Sequence, residues 1–238
     1  MSSPALLRQP GTAVRGLASS AAWLARSSQT VPRWAIASAA LLPVLLTGGW
    51  LVGDALQPAS YNPISETVSV LAGQTGTDRW VMTGALFLVG GCYVLTAAGL
   101  AGVPRSARLL LIVTGLAAIG IATSPEPASG PTPRHLAWTS LGAITIAVWP
   151  AFVARRGASR DAPRPRPLAL TVRGSVAVTI VFVALLGWFF AEAQGGSMIG
   201  LAERLSTSIQ TTWPFVIALA LRRWTRGEGW GVRMDRSG

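Results

Sequence analysis

The sequence predicts an all-α, polytopic integral membrane protein: six transmembrane helices in one bundle, with the N and C termini cytoplasmic. Three observations predict it. Half of the 238 residues are hydrophobic and only 12% are charged, about half the charged fraction of an ordinary soluble domain. Six apolar runs reach or approach the ~20 residues a helix needs to cross a hydrocarbon core. The charge that remains is segregated into the segments between those runs.

In chain order, residues 1–32 carry Arg8, Arg15 and Arg26 and no acid, with Val14, Leu17, Ala21 and Leu24 at helical spacing. That pattern reads as a disordered or interfacial amphipathic segment on the cytoplasmic side, with a transit peptide as the minority reading. The membrane domain spans 33–222, with runs near 33–53, 80–101, 107–123, 135–154, 172–191 and 201–221. A charge at mid-membrane costs about 2.5–3.5 kcal/mol on insertion scales, and none falls deep inside any run. The Pro-Arg stretch RRGASRDAPRPRP (155–167) reads as an extended linker drawn to anionic lipid. Residues 223–238 form an Arg-rich cytoplasmic tail.

Topology follows from the arginines. All 20 basic residues are Arg, and only Arg79, Arg134 and Arg204 fall on the side opposite the other 17. Those three share their side with Asp54, Glu66, Asp78, Glu126, Glu192 and Glu203, six of the nine acids. Excess Arg in short loops marks the cytoplasmic side, so the acid-bearing loops are expected outside. Nucleic-acid binding needs aromatic or base-reading side chains among the arginines, and the Pro-Arg stretch 155–167 has none.

Three prolines, Pro43, Pro150 and Pro214, fall inside runs and are expected to interrupt them. Trp149 and Trp213, each before a proline, read as anchors at the inner membrane surface. Cys92 stands alone and reads as a small packing residue.

Polar side chains in a span turn toward the bundle interior. On the fourth run His135, Thr139, Gly142, Thr145 and Trp149 share one helical face, and on the sixth Glu203, Thr207, Gln210 and Pro214 do. Each stripe is headed by an ionisable group at the outer end. With the outer loops these predict a polar pocket drawn from Ser65, Glu66, Ser69, Glu126, His135, Glu203 and Arg204. The competing reading is a set of surface ion pairs worth about 0–1 kcal/mol each. In the stretch YNPISETVSVLAG (61–73), Asn62 and Pro63 suit the N-cap and first position of a short helix ending before Gly73. An extended strand-like reading also stands, because short segments are ambiguous.

Catalytic templates fit poorly. A catalytic zinc needs three protein ligands, usually with histidine, and the chain has one His; no metal or cofactor is expected. A Ser–His–acid trio can be drawn from Ser65 or Ser69, His135, and Glu126 or Glu203, but no nucleophile elbow supports it. The favoured function is a non-enzymatic protein whose outer pocket takes a lipid, a small molecule or a partner membrane protein. A small transporter or channel and an outer-face lipid-modifying enzyme are the alternatives.

Six stretches carry a family resemblance: NPISETVSVLAG (62–73), DRW (78–80), GCYVLTAAGL (91–100), PEPASGPTPRH (125–135), WP (149–150) and GLAERLSTSIQTTW (200–213). In order and placement they resemble the bacterial membrane family termed domain of unknown function 998, over about residues 34–222. The resemblance implies a multi-pass fold in the bacterial cytoplasmic membrane and no activity. It also implies that Ser65, His135, Glu203 and Arg204 occupy recurring positions.

Overall fold

The computed structural model describes residues 30–154 and 166–226. The amphipathic segment expected within 1–32 and almost all of the Pro-Arg linker lie outside the described residues. The described residues form seven α-helices and two short 3-10 turns, with no strand among them. The helices are α1 (Arg33–Leu56), α2 (Val68–Ala72), α3 (Trp80–Gly99), α4 (Arg105–Ala122), α5 (Pro133–Val148), α6 (Val172–Glu192) and α7 (Ile199–Arg226).

Five of them are long and apolar enough to cross a membrane: α1, α3, α4, α5 with its 3-10 extension to Phe152, and α6. The longest helix, α7, has 28 residues and is not among the five. Its inward face carries Glu203, Arg204, Ser206, Thr207, Gln210 and Thr211, which lowers its hydropathy.

The helices close into a ring. α5, α4, α3 and α1 pack side by side, α7 lies against α1, and α6 bridges α7 back to α5. α3 and α4 approach each other backbone to backbone. A Cβ on Gly90 would stand 2.7 Å from the carbonyl oxygen of Gly115, and one on Gly115 2.6 Å from that of Gly90. Only glycine lets two helix backbones meet so closely, the small-residue contact that replaces hydrophobic drive in an apolar setting. Hydroxyl pairs tie the ring further, Ser38 to Thr96 at 3.0 Å and Thr114 to Thr145 at 2.9 Å. Cys92 is buried and free, in keeping with a packing role. α6 is the outlier: 17% of its apolar stretch is buried, against 56% for α3.

Two sequence expectations need correction. Pro43 and Pro214 lie inside unbroken helices rather than interrupting them. Tertiary packing supplies most helical stability, and here Leu42, Leu46, Pro214 and Ile217 are all buried around the prolines. Only at Pro150 does the helix change, tightening into a 3-10 turn over Trp149–Phe152. Trp149 is not a surface anchor either. It is fully buried, and its indole nitrogen donates to the Ala107 carbonyl at 2.9 Å. That bond satisfies the one polar atom that would otherwise hold the ring at an interface.

Candidate functional site

The loops α1–α3, α4–α5 and α6–α7 gather at one end of the ring, and Arg204 organises the first of them. Its side chain is buried under the α1–α3 loop. Nε and Nη2 donate to the two oxygens of Asp54 at 3.2 and 2.6 Å, a bidentate pair. Nη2 also donates to the Tyr61 hydroxyl, which donates onward to Asp54 Oδ1 at 3.0 Å. Nη1 donates to the carbonyls of Pro63, Glu66 and Gly200 at 2.8, 2.7 and 3.1 Å. The guanidinium lies 5.6 Å from the Trp50 ring centre. Burial pushes the Tyr61 phenol well above its ordinary value, against the opposing pull of Arg204.

This knot explains how YNPISETVSVLAG folds. Asn62 caps a single turn: Oδ1 accepts from the Ile64 N–H at 3.0 Å, and the Glu66 carboxylate returns to the Asn62 N–H at 3.0 Å. A continuous helix would spend the Pro63 and Glu66 carbonyls on its own N–H groups, but Arg204 takes them. The chain therefore extends at Thr67 (φ −71°, ψ 159°) and restarts as α2 at Val68. One helix over 63–72 becomes a capped turn plus a short helix. Glu203 fastens the restart, its Oε2 accepting from the Val68 N–H at 2.7 Å. The α7 backbone joins in, with the Leu201 N–H donating to the Ile64 carbonyl at 3.0 Å.

The restart turns Ser69 inward. Its Oγ lies 3.2 Å from Nε2 of His135, a buried side chain on the first turn of α5. His135 is placed by its own helix start: the Thr132 hydroxyl caps the His135 N–H at 3.2 Å, with Pro133 in the first turn. Nδ1 lies 2.8 Å from the Ser124 carbonyl. A carbonyl only accepts, so the network assigns a proton to Nδ1, and in that neutral tautomer Nε2 accepts from Ser69. The Glu126 carboxylate stands 4.0 Å from Nε2. Burial pushes the Glu126 carboxyl above the usual range, partly offset by His135. The Gln74 N–H, just past α2, bonds the Glu126 carbonyl at 2.7 Å and ties the two loops.

Below these groups a cavity of about 130 Å³ occupies the centre of the ring, with every helix contributing to its wall. Leu46, Leu86, Val89, Ile121, Ile146 and Phe189 make most of the wall apolar. Ser69, Thr139, Glu203, Thr207 and Gln210 add a polar streak. The Thr139 hydroxyl is buried there and has no hydrogen-bond partner among the described residues.

A family model described as "Protein of unknown function (DUF998)" matches residues 35–220. The chain belongs to that family. No curated protein and no solved structure matches it.

In this DUF998 chain the residues singled out from sequence separate into three groups. Ser69, His135 and Glu126 come together, and Glu203 lines the same cavity as Ser69. Arg204 is one residue away but fully engaged in its knot, a buried partner of Asp54 rather than a surface ion pair. Ser65 is exposed and Glu66 is spent on its turn, and neither lines the cavity. Sequence reasoning missed the Tyr61–Asp54–Arg204 linkage, which joins residues 150 apart in the chain. It also left Thr139 as a mere stripe member, although that stripe was the signal that pointed inward.

Proposed function

We propose that this DUF998 protein is a six-span membrane protein with both termini cytoplasmic, and that it binds a neutral or cationic amphiphile in its central cavity. The observation that carries the binding reading is the cavity's composition. Its wall is mainly apolar, its polar groups are hydroxyls, an amide and the Glu203 carboxylate, and no cationic side chain lines it among the described residues. An anionic headgroup finds no cation to pair with there, because Arg204 is already saturated. The volume is close to that of an engineered cavity of about 150 Å³ that holds benzene. It therefore suits a headgroup linkage and a few methylenes rather than a whole lipid. The rest of a chain leaves beside α6, the least buried wall, whose Leu186 and Phe189 are only half-buried.

In the six-span reading α7 is the sixth span, its polar face turned into the ring and away from lipid. The alternation of arginine-rich and acid-bearing loops supports the orientation. Two experiments test these points. Native mass spectrometry of protein purified in lipid nanodiscs should find a bound neutral lipid, and Ala118→Phe, which fills the cavity wall, should lose it. Equal retention by both proteins would refute the cavity as the site. For orientation, a Cys92→Ala background with Ser65→Cys should react with a membrane-impermeant maleimide in intact cells. Labelling only after lysis would invert the topology.

A further inference from the structure

We propose that Ser69 is the nucleophile of an acyl-transfer site at the head of this cavity, with His135 as its general base and a neutral carboxylic ester as the substrate class. The proposal rests on the amphiphile-binding reading and adds chemistry to it. A serine hydroxyl is a weak nucleophile until a base within hydrogen-bond reach takes its proton, and the base needs a third group to fix its tautomer. All three roles are filled. Ser69 Oγ is 3.2 Å from Nε2, and the Ser124 carbonyl holds Nδ1–H at 2.8 Å. Here a backbone carbonyl stands where many such sites use a carboxylate. It orients the ring and stabilises positive charge less strongly.

The step balances without a redox partner. Ser69 Oγ bonds to the ester carbonyl carbon while its proton passes to His135 Nε2, and the carbonyl π pair moves onto oxygen. Collapse of the tetrahedral species breaks the bond to the alcohol oxygen, which leaves with the proton from Nε2. Water then attacks the acyl-Ser69 ester by the same route, releasing a carboxylic acid and restoring the serine. The positive charge that His135 carries in between faces the Glu126 carboxylate 4.0 Å away.

A buried Ser–His bond is also a way to tie a loop to a helix. Tying alone leaves two observations without a role. Ser69 borders the cavity rather than being sealed in packing. Thr139, one turn beyond His135 on the same face, lines that cavity, and its buried hydroxyl has no hydrogen-bond partner among the described residues. An unpaired buried hydroxyl carries a desolvation penalty, which a ligand oxygen would relieve. Donation from Thr139 to the substrate carbonyl oxygen, where negative charge builds, fits that need.

The test uses the full chain in lipid nanodiscs, an alkyl fluorophosphonate as serine probe, and peptide mass spectrometry to locate the adduct. The expected result is time-dependent labelling of Ser69, abolished by Ser69→Ala and untouched by Ser65→Ala. His135→Gln should slow labelling by at least ~100-fold, the low end of general-base contributions. Thr139→Val should slow it while leaving Ser69 labelled. Bound lipid is measured on the same samples. Wild-type protein that retains lipid but shows no adduct at Ser69 overturns the acyl-transfer proposal and leaves binding intact. Labelling unchanged in His135→Gln removes the base and overturns it as stated. Wild-type protein without lipid, yet labelled at Ser69, counts against the stored-ligand reading alone.

Discussion

The Arg204 knot makes the sharpest stability prediction. Asp54→Ala removes both carboxylate partners of a guanidinium that is 5% exposed, including the 2.6 Å bond at Nη2. The Pro63, Glu66 and Gly200 carbonyls still receive Nη1, so the loss falls on Nε and Nη2. Tyr61 also loses its acceptor. Breaking a buried pair from one side costs about 3–5 kcal/mol, because the remaining charge is left uncompensated. At about 2–4 °C per kcal/mol for a chain of this size, the melting temperature should fall by roughly 6–20 °C. Arg204→Leu should be similarly destabilising, since it strands the Asp54 carboxylate and three carbonyls. The double variant Asp54→Ala/Arg204→Leu should recover part of the loss, the signature of coupling in a double-mutant cycle. Fluorescence-monitored thermal unfolding in detergent measures all three. An Asp54→Ala protein that melts within 2 °C of wild type would refute the claim that the pair holds the loop.

Two further perturbations follow from the same end of the ring. A Cβ on Gly200 would meet the Pro63 carbonyl oxygen at 2.5 Å and the Glu66 carbonyl closer still, both backbone atoms that cannot swing aside. Gly200→Ala should therefore detach the α1–α3 loop and lower thermal stability by several degrees; an unchanged melting curve would show that the loop yields. Glu126 gives a pH dependence with a definite sign. Its carboxyl is raised above the ordinary 4.5 mainly by burial, so the folded state holds the proton more tightly than the unfolded chain. Its contribution is fully present below about pH 4.5 and lost as pH rises through the higher folded value. Glu126→Gln, fixed in the neutral form, should flatten that part of the stability profile; a profile parallel to wild type from pH 4 to 7 would exclude Glu126 as its source.

Much of the fold was legible because it rests on one-dimensional signals. The apolar runs and the inward stripe on α5 depend on periodicity, and the helices fall within a few residues of expectation. Pro43, Pro214 and Trp149 were misread for a physical reason. A proline in a packed helix is tolerated or not according to its neighbours, and an indole goes to an interface or a core according to whether a carbonyl awaits it. Ala107 supplies that carbonyl from another helix, and nothing near Trp149 in sequence announces it. The site shows the same division. Ser69, Glu126 and His135 were all drawn from sequence, but so were Ser65 and Glu66, and composition cannot choose between Ser65 and Ser69.

That choice is made by Arg204. Had residues 63–72 formed one regular helix, Ser65 and Ser69 would lie one turn apart on the same face, and whatever met one would sit near the other. By drawing the Pro63 and Glu66 carbonyls to its guanidinium, Arg204 breaks the segment at Thr67, so the two serines part company. Ser65 stays exposed on the capped turn, while Ser69 rotates with α2 toward His135 and the cavity. Glu203, the neighbour of Arg204 on α7, then pins the new helix start through Val68. Two adjacent residues on α7 thus act together on a loop more than a hundred residues earlier, one by breaking a helix and one by starting the next. A consequence can be measured. Loss of the knot in Asp54→Ala should loosen the register of α2 and slow fluorophosphonate labelling at Ser69, although Asp54 touches neither Ser69 nor His135. Labelling at the wild-type rate in a folded Asp54→Ala protein would show that α2 holds its place through Glu203 alone.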